Sequence, residues 1–328
     1  MAVEIEPVLE PEREIIDPHH HLWDRPDHRY LADELARDLN SGHRIAATVF
    51  VQCRSSYFAH APAALQPVGE TRFVAEQHER AAALTAADVC AGIIGYADLR
   101  LGVEIEPVLD AHLSEGKGRF RGIRQILAWD ASPEVVLPGY EVGPDIMEDA
   151  SFRAGFASLS RKSLVFDALV FHPQLPDLAK LAAAFPDVSI ILNHAGLPLS
   201  VGPYSGRSAD VTAAWQQGMS ILAECPNVFV KLGGFAMPLV GLAATKPEEA
   251  EAQPRSAALA DIWAPYFHQC IDLFGPARCM FESNFPVERL GGDYRAIWNA
   301  FKRIARPYSE AEKQWLFAET ARKAYRLA

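Results

Sequence analysis

The sequence predicts an α/β fold, a (β/α)8 TIM barrel, distorted and carrying loop insertions on its C-terminal face. Three observations lead there. Eight short apolar runs, rich in β-branched residues, recur along 328 residues. Most are near-continuous rather than alternating, as in parallel strands covered on both faces. The intervals between them are long enough for crossover helices, and neither a dinucleotide fingerprint nor a P-loop favours an open nucleotide-binding sheet. The length suits one barrel with insertions, so the chain is expected to form a single domain over 1–328, with an acidic N-terminal extension at 1–13.

The first run, Ile15–Leu22, contains Asp17-Pro18-His19-His20-His21-Leu22 and is followed by Trp23. In an extended chain side chains alternate, so Asp17, His19, His21 and Trp23 are expected on one face. Ile45–Cys53 is the second run and brings Gln52 to its end; Cys90–Leu99 is the third. Phe120–Leu127 carries Arg121 and Arg124. Leu164–Phe171 leads into His172 and Gln174, and Val188–His194 ends on Asn193-His194. Val228–Leu232 holds Lys231, and Cys279–Phe285 holds Glu282 and Asn284. Helical spacing marks Thr71–Leu84, Leu175–Phe185, Asp210–Ala223 and Ala257–Phe274. Pro176 stands at a helix start and Pro186 beyond its end. The tail Ser309–Leu327 opens close to a capping box.

Two insertions, Trp129–Met147 and Met237–Gln253, follow strand candidates and would overhang the active-site face; solvated loops or contacts between copies of the chain are the other roles open to them. Val3–Leu9 and Val103–Leu109 share the heptapeptide VEIEPVL, too far apart and too isolated to be a structural repeat.

Composition narrows the function. A formal net charge of −11 without a basic patch argues against nucleic acid as a partner. The five cysteines are scattered and show no C-x-x-C, which fits a reducing compartment. No signal peptide and no run of about 18 apolar residues is present, so a membrane span is not expected and the cytoplasm is the expected location.

In a parallel barrel, chemistry collects at the C-terminal ends of the strands. His19 and His21 could grip one divalent cation or act together on one substrate. Arg124 inside an apolar strand either binds an anionic substrate group or neutralises a buried acid such as Glu282. Lys231 has the same two readings. His172 is either a ligand or a strand-end hydrogen-bonding residue, and His194 either functional or a turn former.

The ordered set Asp17-Pro18-His19-His20-His21-Leu22-Trp23-Asp24, Gly122-Ile123-Arg124, His172-Pro173-Gln174-Leu175, Asn193-His194-Ala195-Gly196, Lys231-Leu232-Gly233-Gly234 and Glu282-Ser283-Asn284-Phe285-Pro286 resembles the amidohydrolase superfamily. More narrowly it resembles the amidohydrolase-related branch that holds 2-pyrone-4,6-dicarboxylate lactonase, sugar-acid lactonases and metal-dependent decarboxylases. The resemblance implies a distorted barrel and a set of roles. His19 and His21, with His172 where metal is bound, would form the metal position; zinc is the first candidate, and metal-free members exist. His194 would position substrate or move protons, and Arg124 would hold a substrate carboxylate. Trp23, Gln52, Gln174 and Lys231 complete the expected substrate contacts. One position departs from the pattern. Asn284 stands where an aspartate base is usual, and an amide cannot take a proton from water at neutral pH. Glu282, one pleat earlier, is its expected substitute. The implied activity is hydrolysis of a lactone or related ester of a small, carboxylate-bearing acid. The alternatives are metal-dependent decarboxylation and a degenerate barrel that only binds small acids.

Overall fold

The computed structural model describes residues 6–137, 139–140, 142–243 and 255–328. The chain enters through β1 (Glu14–His20), turns through a hairpin of β2 (Trp23–Arg25) and β3 (His28–Tyr30), and continues through α1 (Ala32–Leu39) and β4 (Arg44–Val51). It then alternates α2 (Val68–Ala81), β5 (Asp88–Gly95), α3 (Glu106–Glu115), β6 (Phe120–Ile126), α4 (Ala150–Arg161), β7 (Val165–Leu169), α5 (Leu175–Ala184) and β8 (Ile190–Leu192). α6 (Ser208–Ala223), β9 (Val228–Leu232), α7 (Arg255–Phe274), β10 (Cys279–Phe281) and α8 (Tyr294–Ile304) complete the alternation. The tail runs through α9 (Glu310–Gln314), a π-helical turn at Trp315–Glu319 and α10 (Thr320–Tyr325).

β1 and β4 to β10 form one eight-stranded sheet in chain order, every neighbouring pair parallel. The ring closes where Asn284 N donates to His19 O at 2.9 Å and His21 N to Phe285 O at 2.8 Å. These are the eight runs read from the sequence, in the same order, and the fold is a (β/α)8 barrel. The four helices expected after the second, fifth, sixth and seventh strands are present to within a few residues. Ser309 caps α9, accepting from Glu312 N while the Glu312 carboxylate takes Ser309 N at 2.8 Å. The β2–β3 hairpin was not expected; it forms just beyond the histidine stretch, with Arg25 4.2 Å over the Trp23 ring. The shared heptapeptide takes two structures: Glu106 opens a helix, whereas Glu6 to Leu9 is irregular and tied to α8 through Leu9 N and Asn299.

The barrel interior has two layers of different chemistry. The lower layer is apolar: Ile16, Val49, Val165, Ile191, Phe229 and Met280 meet Ala321, Ala324 and Tyr325 of α10, which plugs the N-terminal end. Two residues further along the strands the inward positions turn polar and deliver Asp167, Asn193, Lys231 and Glu282.

On β1 the register slips between Asp17 and His20, where three steps on β1 match two on β4. The extra residue reverses the alternation. This corrects the expected shared face of Asp17, His19, His21 and Trp23. Asp17 points away from the barrel axis, accepting from Ser283 Oγ at 2.5 Å and from Tyr294 OH of α8 at 3.0 Å. His20 also turns outward, 2.9 Å from Thr48 Oγ1, and only then do His19 and His21 face inward. All five cysteines are free and buried. No helix among the described residues is long and apolar enough to cross a membrane.

Candidate active site

The upper interior layer is built around Glu282. Its carboxylate stands 2.5 Å from His19 Nδ1 and 2.6 Å from His194 Nδ1, and it also accepts from His194 N at 3.1 Å. The His19 contact is at ion-pair distance but not in hydrogen-bonding orientation, so Glu282 Oε2 has no hydrogen-bond partner although it is buried. His19 and His194 stack, ring centroids 4.7 Å apart, and His21 meets His19 edge-on at 4.9 Å.

His194 owes its position to a strained turn. It, Ala195 and Leu197 have φ of 54°, 46° and 43°, a left-handed conformation that side-chain-bearing residues adopt at a cost. Trp215 Nε1 holds the turn by donating to Ala195 O at 2.7 Å. The ring then lies against Gly234, where any Cβ would come within 2.4 Å of His194 Nδ1. The two glycines at the end of β9 are thus explained by room, Gly234 for His194 and Gly233 for Glu282, whose backbone oxygen would lie 2.4 Å from a Cβ there.

Beneath this trio a buried chain runs to the barrel floor. Lys231 Nζ lies 3.4 Å from His19 Nδ1 and 2.7 Å from Asp167, which also accepts from Asn193 Nδ2 at 3.0 Å and from Tyr325 OH at 2.9 Å. Arg124 does not pair with Glu282. Its Nη1 is 3.3 Å from His19 Nε2 and 3.4 Å from Asn193 Oδ1, and its Nη2 donates to the Gln52 carbonyl. Arg124 can only donate, so His19 presents a bare Nε2 to it and carries its proton on Nδ1; Lys231 Nζ, also a donor only, then lies near that nitrogen without hydrogen-bonding it. His21 Nδ1 must donate to the Val51 carbonyl at 2.7 Å, so its Nε2 keeps the lone pair. Burial, followed by the neighbouring positive charge of Lys231 for His19 and of Arg124 for His21, holds both imidazoles well below their ordinary pKa and therefore neutral.

The other expected site residues divide. Trp23 stacks on His21 with centroids 5.8 Å apart. Gln52 is fully buried, and neither atom of its side-chain amide has a partner among the described residues. Gln174 is committed elsewhere: its amide takes Trp129 N and Phe171 N and donates to Leu127 O, bracing the loops instead of facing a ligand. Lys231 is fully buried against Asp167, an ion-pair role and not a substrate contact. His172 is outside the group of donors that, among the described residues, could share a metal: His19, His194 and Glu282, with ligand atoms within 4.8 Å of one another. It accepts from Leu199 N at 3.4 Å and packs on Tyr204. Asn284, with φ of 51°, directs its amide nitrogen to Glu288 at 3.3 Å.

Sequence reasoning missed Asp167, Glu70, Glu288 and Tyr325. An acid inside the apolar Val165–Leu169 run was the same signal that marked Arg124; the helix-borne residues give no such signal. Burial pushes Glu288 up to about 8 and Glu70 to about 7, and pushes His20 and His43 down to about 3 and His112 to about 4. The raised acids contribute stability that is complete below their ordinary value of 4.5 and is lost as pH rises through 7 to 8. The lowered histidines contribute stability that is complete above 6.5 and is lost as pH falls through 4 to 3. The melting temperature is therefore expected to peak near pH 6.5–7 and fall on both sides, and Glu288→Gln is expected to flatten the alkaline limb. A melting temperature that climbs steadily from pH 7 to 9 would contradict this.

A cavity of about 630 Å³ opens at the end of β6, lined by Gln125 and Ile126 and roofed by Val136, Leu137, Tyr140 and Ile146 of the insertion that follows that strand. That insertion does overhang the C-terminal face. Of the second insertion, Met237–Ala243 packs on the segment after β8, with Ser200 N donating to Leu239 O at 2.8 Å, and 244–253 lie outside the described residues.

A barrel with inward histidines, a bridging carboxylate and buried cations at its strand ends defines a class that the comparisons make specific. Residues 16–327 match the family described as amidohydrolase, and the chain belongs to that family. It is 31% identical over 330 residues to the uncharacterized protein y4mH of Sinorhizobium fredii, covering 95% of this chain and 98% of that one. It is 29% identical over 336 residues to an L-fucono-1,5-lactonase of Burkholderia multivorans, covering 95% and 96%. A solved amidohydrolase from Burkholderia multivorans, with bound zinc, superposes with a TM-score of 0.70 at 26% identity, covering 96% of this chain and 100% of that one.

Proposed function

We propose that the protein opens a lactone, or a related ester, of a small carboxylic acid by adding water across the acyl C–O bond. The observation that carries this reading is the Glu282 carboxylate held between two imidazoles in a layer walled by Arg124 and Lys231. Glu282 takes the place of the missing aspartate: it removes the proton from the attacking water and delivers that same proton to the departing ring oxygen, while His194, whose Nδ1 it holds, keeps the carboxylate in position. Arg124 and Lys231 supply fixed positive charge toward the carbonyl oxygen as it becomes negative. His21, with a bare Nε2, orients the water or the ring, and Trp23 walls that side.

The donor set fits a divalent cation. Two imidazole nitrogens and a carboxylate lie close together, and Glu282 Oε2 is a buried oxygen lacking a hydrogen-bond partner. His19, His194 and Glu282 would hold the ion, with a fourth position open. Zinc is the first candidate, since the solved Burkholderia multivorans relative carries it. When bound it would polarise the carbonyl and acidify water.

The lactonase among the relatives supports the reaction class. The test uses protein stripped with chelator and protein reloaded with zinc, each offered L-fucono-1,5-lactone, other sugar lactones and hydroxylated aromatic acids. Release of one acid equivalent per lactone consumed is expected. Carbon dioxide release from an aromatic acid, with every lactone untouched, would overturn the proposal.

A further inference from the structure

Arg124, the natural candidate to anchor a substrate carboxylate, is poorly placed to do so. It is 4% exposed, and its two terminal nitrogens are engaged by Gln52 O, Asn193 Oδ1 and His19 Nε2. The neighbouring cavity has what Arg124 lacks. Arg54, Arg100, Tyr57, Tyr96, Tyr140 and Gln125 face it, and no acid lines it among the described residues, in a chain of net charge −11. Arg100 is neutralised by Asp98 at 2.8 Å. Arg54 is exposed, has no carboxylate partner among the described residues, and its one hydrogen bond there is to the Gly139 carbonyl. Its guanidinium lies 5.1 Å over the Tyr140 ring, a stacking that leaves the edge of the fork available for two parallel hydrogen bonds.

Arg54 is also held in place at a cost. Arg54 and Ser56 have φ of 62° and 54°. The buried carboxylate of Glu70 fixes this strained turn, accepting from Cys53 N at 3.0 Å and Ser55 N at 2.7 Å. The three phenol hydroxyls have no hydrogen-bond partner among the described residues, and burial keeps all three protonated, so they are unspent donors at neutral pH.

We propose that this cavity is an acid-binding subsite that takes the carboxylate of a ring-shaped organic acid, with Arg54 as the anchor, the tyrosine hydroxyls as secondary donors and Glu70 as the positioning residue. The cavity lies at the ends of strands that also carry the polar layer: Gln125 directly follows Arg124 on β6, and Arg54 lies two residues beyond Gln52 after β4. If the hydrolase reading holds, the acid bound here and the bond opened beside His194 belong to one molecule, so the substrate is a lactone bearing a free carboxylate. At about 630 Å³ the space is within the usual range for small-molecule sites.

The test separates charge from shape without requiring turnover. Wild type, Arg54→Met and Arg54→Lys are titrated calorimetrically with isophthalate and with its uncharged analogue isophthalamide. Wild type is expected to bind isophthalate at least tenfold more tightly than the amide. Arg54→Met is expected to lose at least tenfold for isophthalate, and Arg54→Lys to lose less, since an ammonium keeps the charge without the fork. Equal binding of acid and amide by wild type, or an isophthalate affinity in Arg54→Met within twofold of wild type, would overturn the proposal. Arg54 is exposed, so circular dichroism of the variants should match wild type. Charge-dependent binding that follows Arg54 while no lactone is opened would sink the hydrolase reading and leave this one standing.

Discussion

Glu282→Gln is expected to lower kcat by about three orders of magnitude, the middle of the range for removal of a general base. The substitution is nearly isosteric, and the side chain stays enclosed between His19 and His194. What changes is protonation chemistry. A carboxylate can take a proton from water and accept the Nδ1–H of His194, whereas an amide cannot take that proton and turns an N–H toward one of the two imidazoles. The neutral state that burial imposes on His19 persists in the variant, so that ring adds no uncompensated charge and the melting temperature should move by only a few degrees. The loss should therefore appear in kcat and only weakly in KM. A kcat within tenfold of wild type would show that the proton goes elsewhere, His21 with its bare Nε2 being the nearest alternative. Metal content supplies a second readout: a chain that relies on Glu282 as a ligand should retain less zinc after dialysis when it is glutamine.

The fold was legible because burial on both faces leaves its mark on each strand. Val228–Leu232 is continuously apolar but for Lys231, and Phe120–Ile126 sets Arg121, Arg124 and Gln125 among apolar residues and a glycine, so these polar residues are conspicuous. That the site gathers at the strand ends was legible for the same reason. Which partner each side chain takes was not. The bulge that turns Asp17 outward and His19 inward depends on pairing with β4, and nothing local in Asp17-Pro18-His19 announces it. Arg124 and Lys231 each had two readings that only distance could separate: Lys231 found Asp167 two strands away, and Arg124 found a carbonyl and an imidazole. Gln174 sits in a motif that suggests ligand contact, yet the turn after β7 consumes its whole amide. Glu70 lies on a helix facing the barrel, where an acid in the sequence reads as an ordinary surface residue.

Lys231→Met is expected to destabilise the fold by about 3–5 kcal/mol, the usual cost of removing one partner from a buried ion pair. Both members of the pair are fully buried at a separation of 2.7 Å. The remaining donors to Asp167, Tyr325 OH and Asn193 Nδ2, are neutral and do not replace the lost charge. Urea unfolding should show the lower midpoint at an unchanged slope. The double substitution Lys231→Met, Asp167→Asn should recover much of the loss, because it removes the stranded carboxylate as well. Its recovery would also distinguish an ion-pair effect from a simple cavity, since methionine has nearly the length of lysine. A single variant within 1 kcal/mol of wild type would mean that water reaches Asp167 or that the acid is protonated, and the buried chain from Tyr325 to His19 would lose its electrostatic basis. The same pair links stability to chemistry. The ammonium that neutralises Asp167 also lies 3.4 Å from His19 Nδ1 and helps keep that ring neutral. In the repaired double variant His19 loses this cation while the fold is restored, so its affinity for a proton should rise. A pH–rate profile shifted upward in a stably folded protein would therefore show that the polar layer was placed over α10 to tune His19 as well as to fill the barrel.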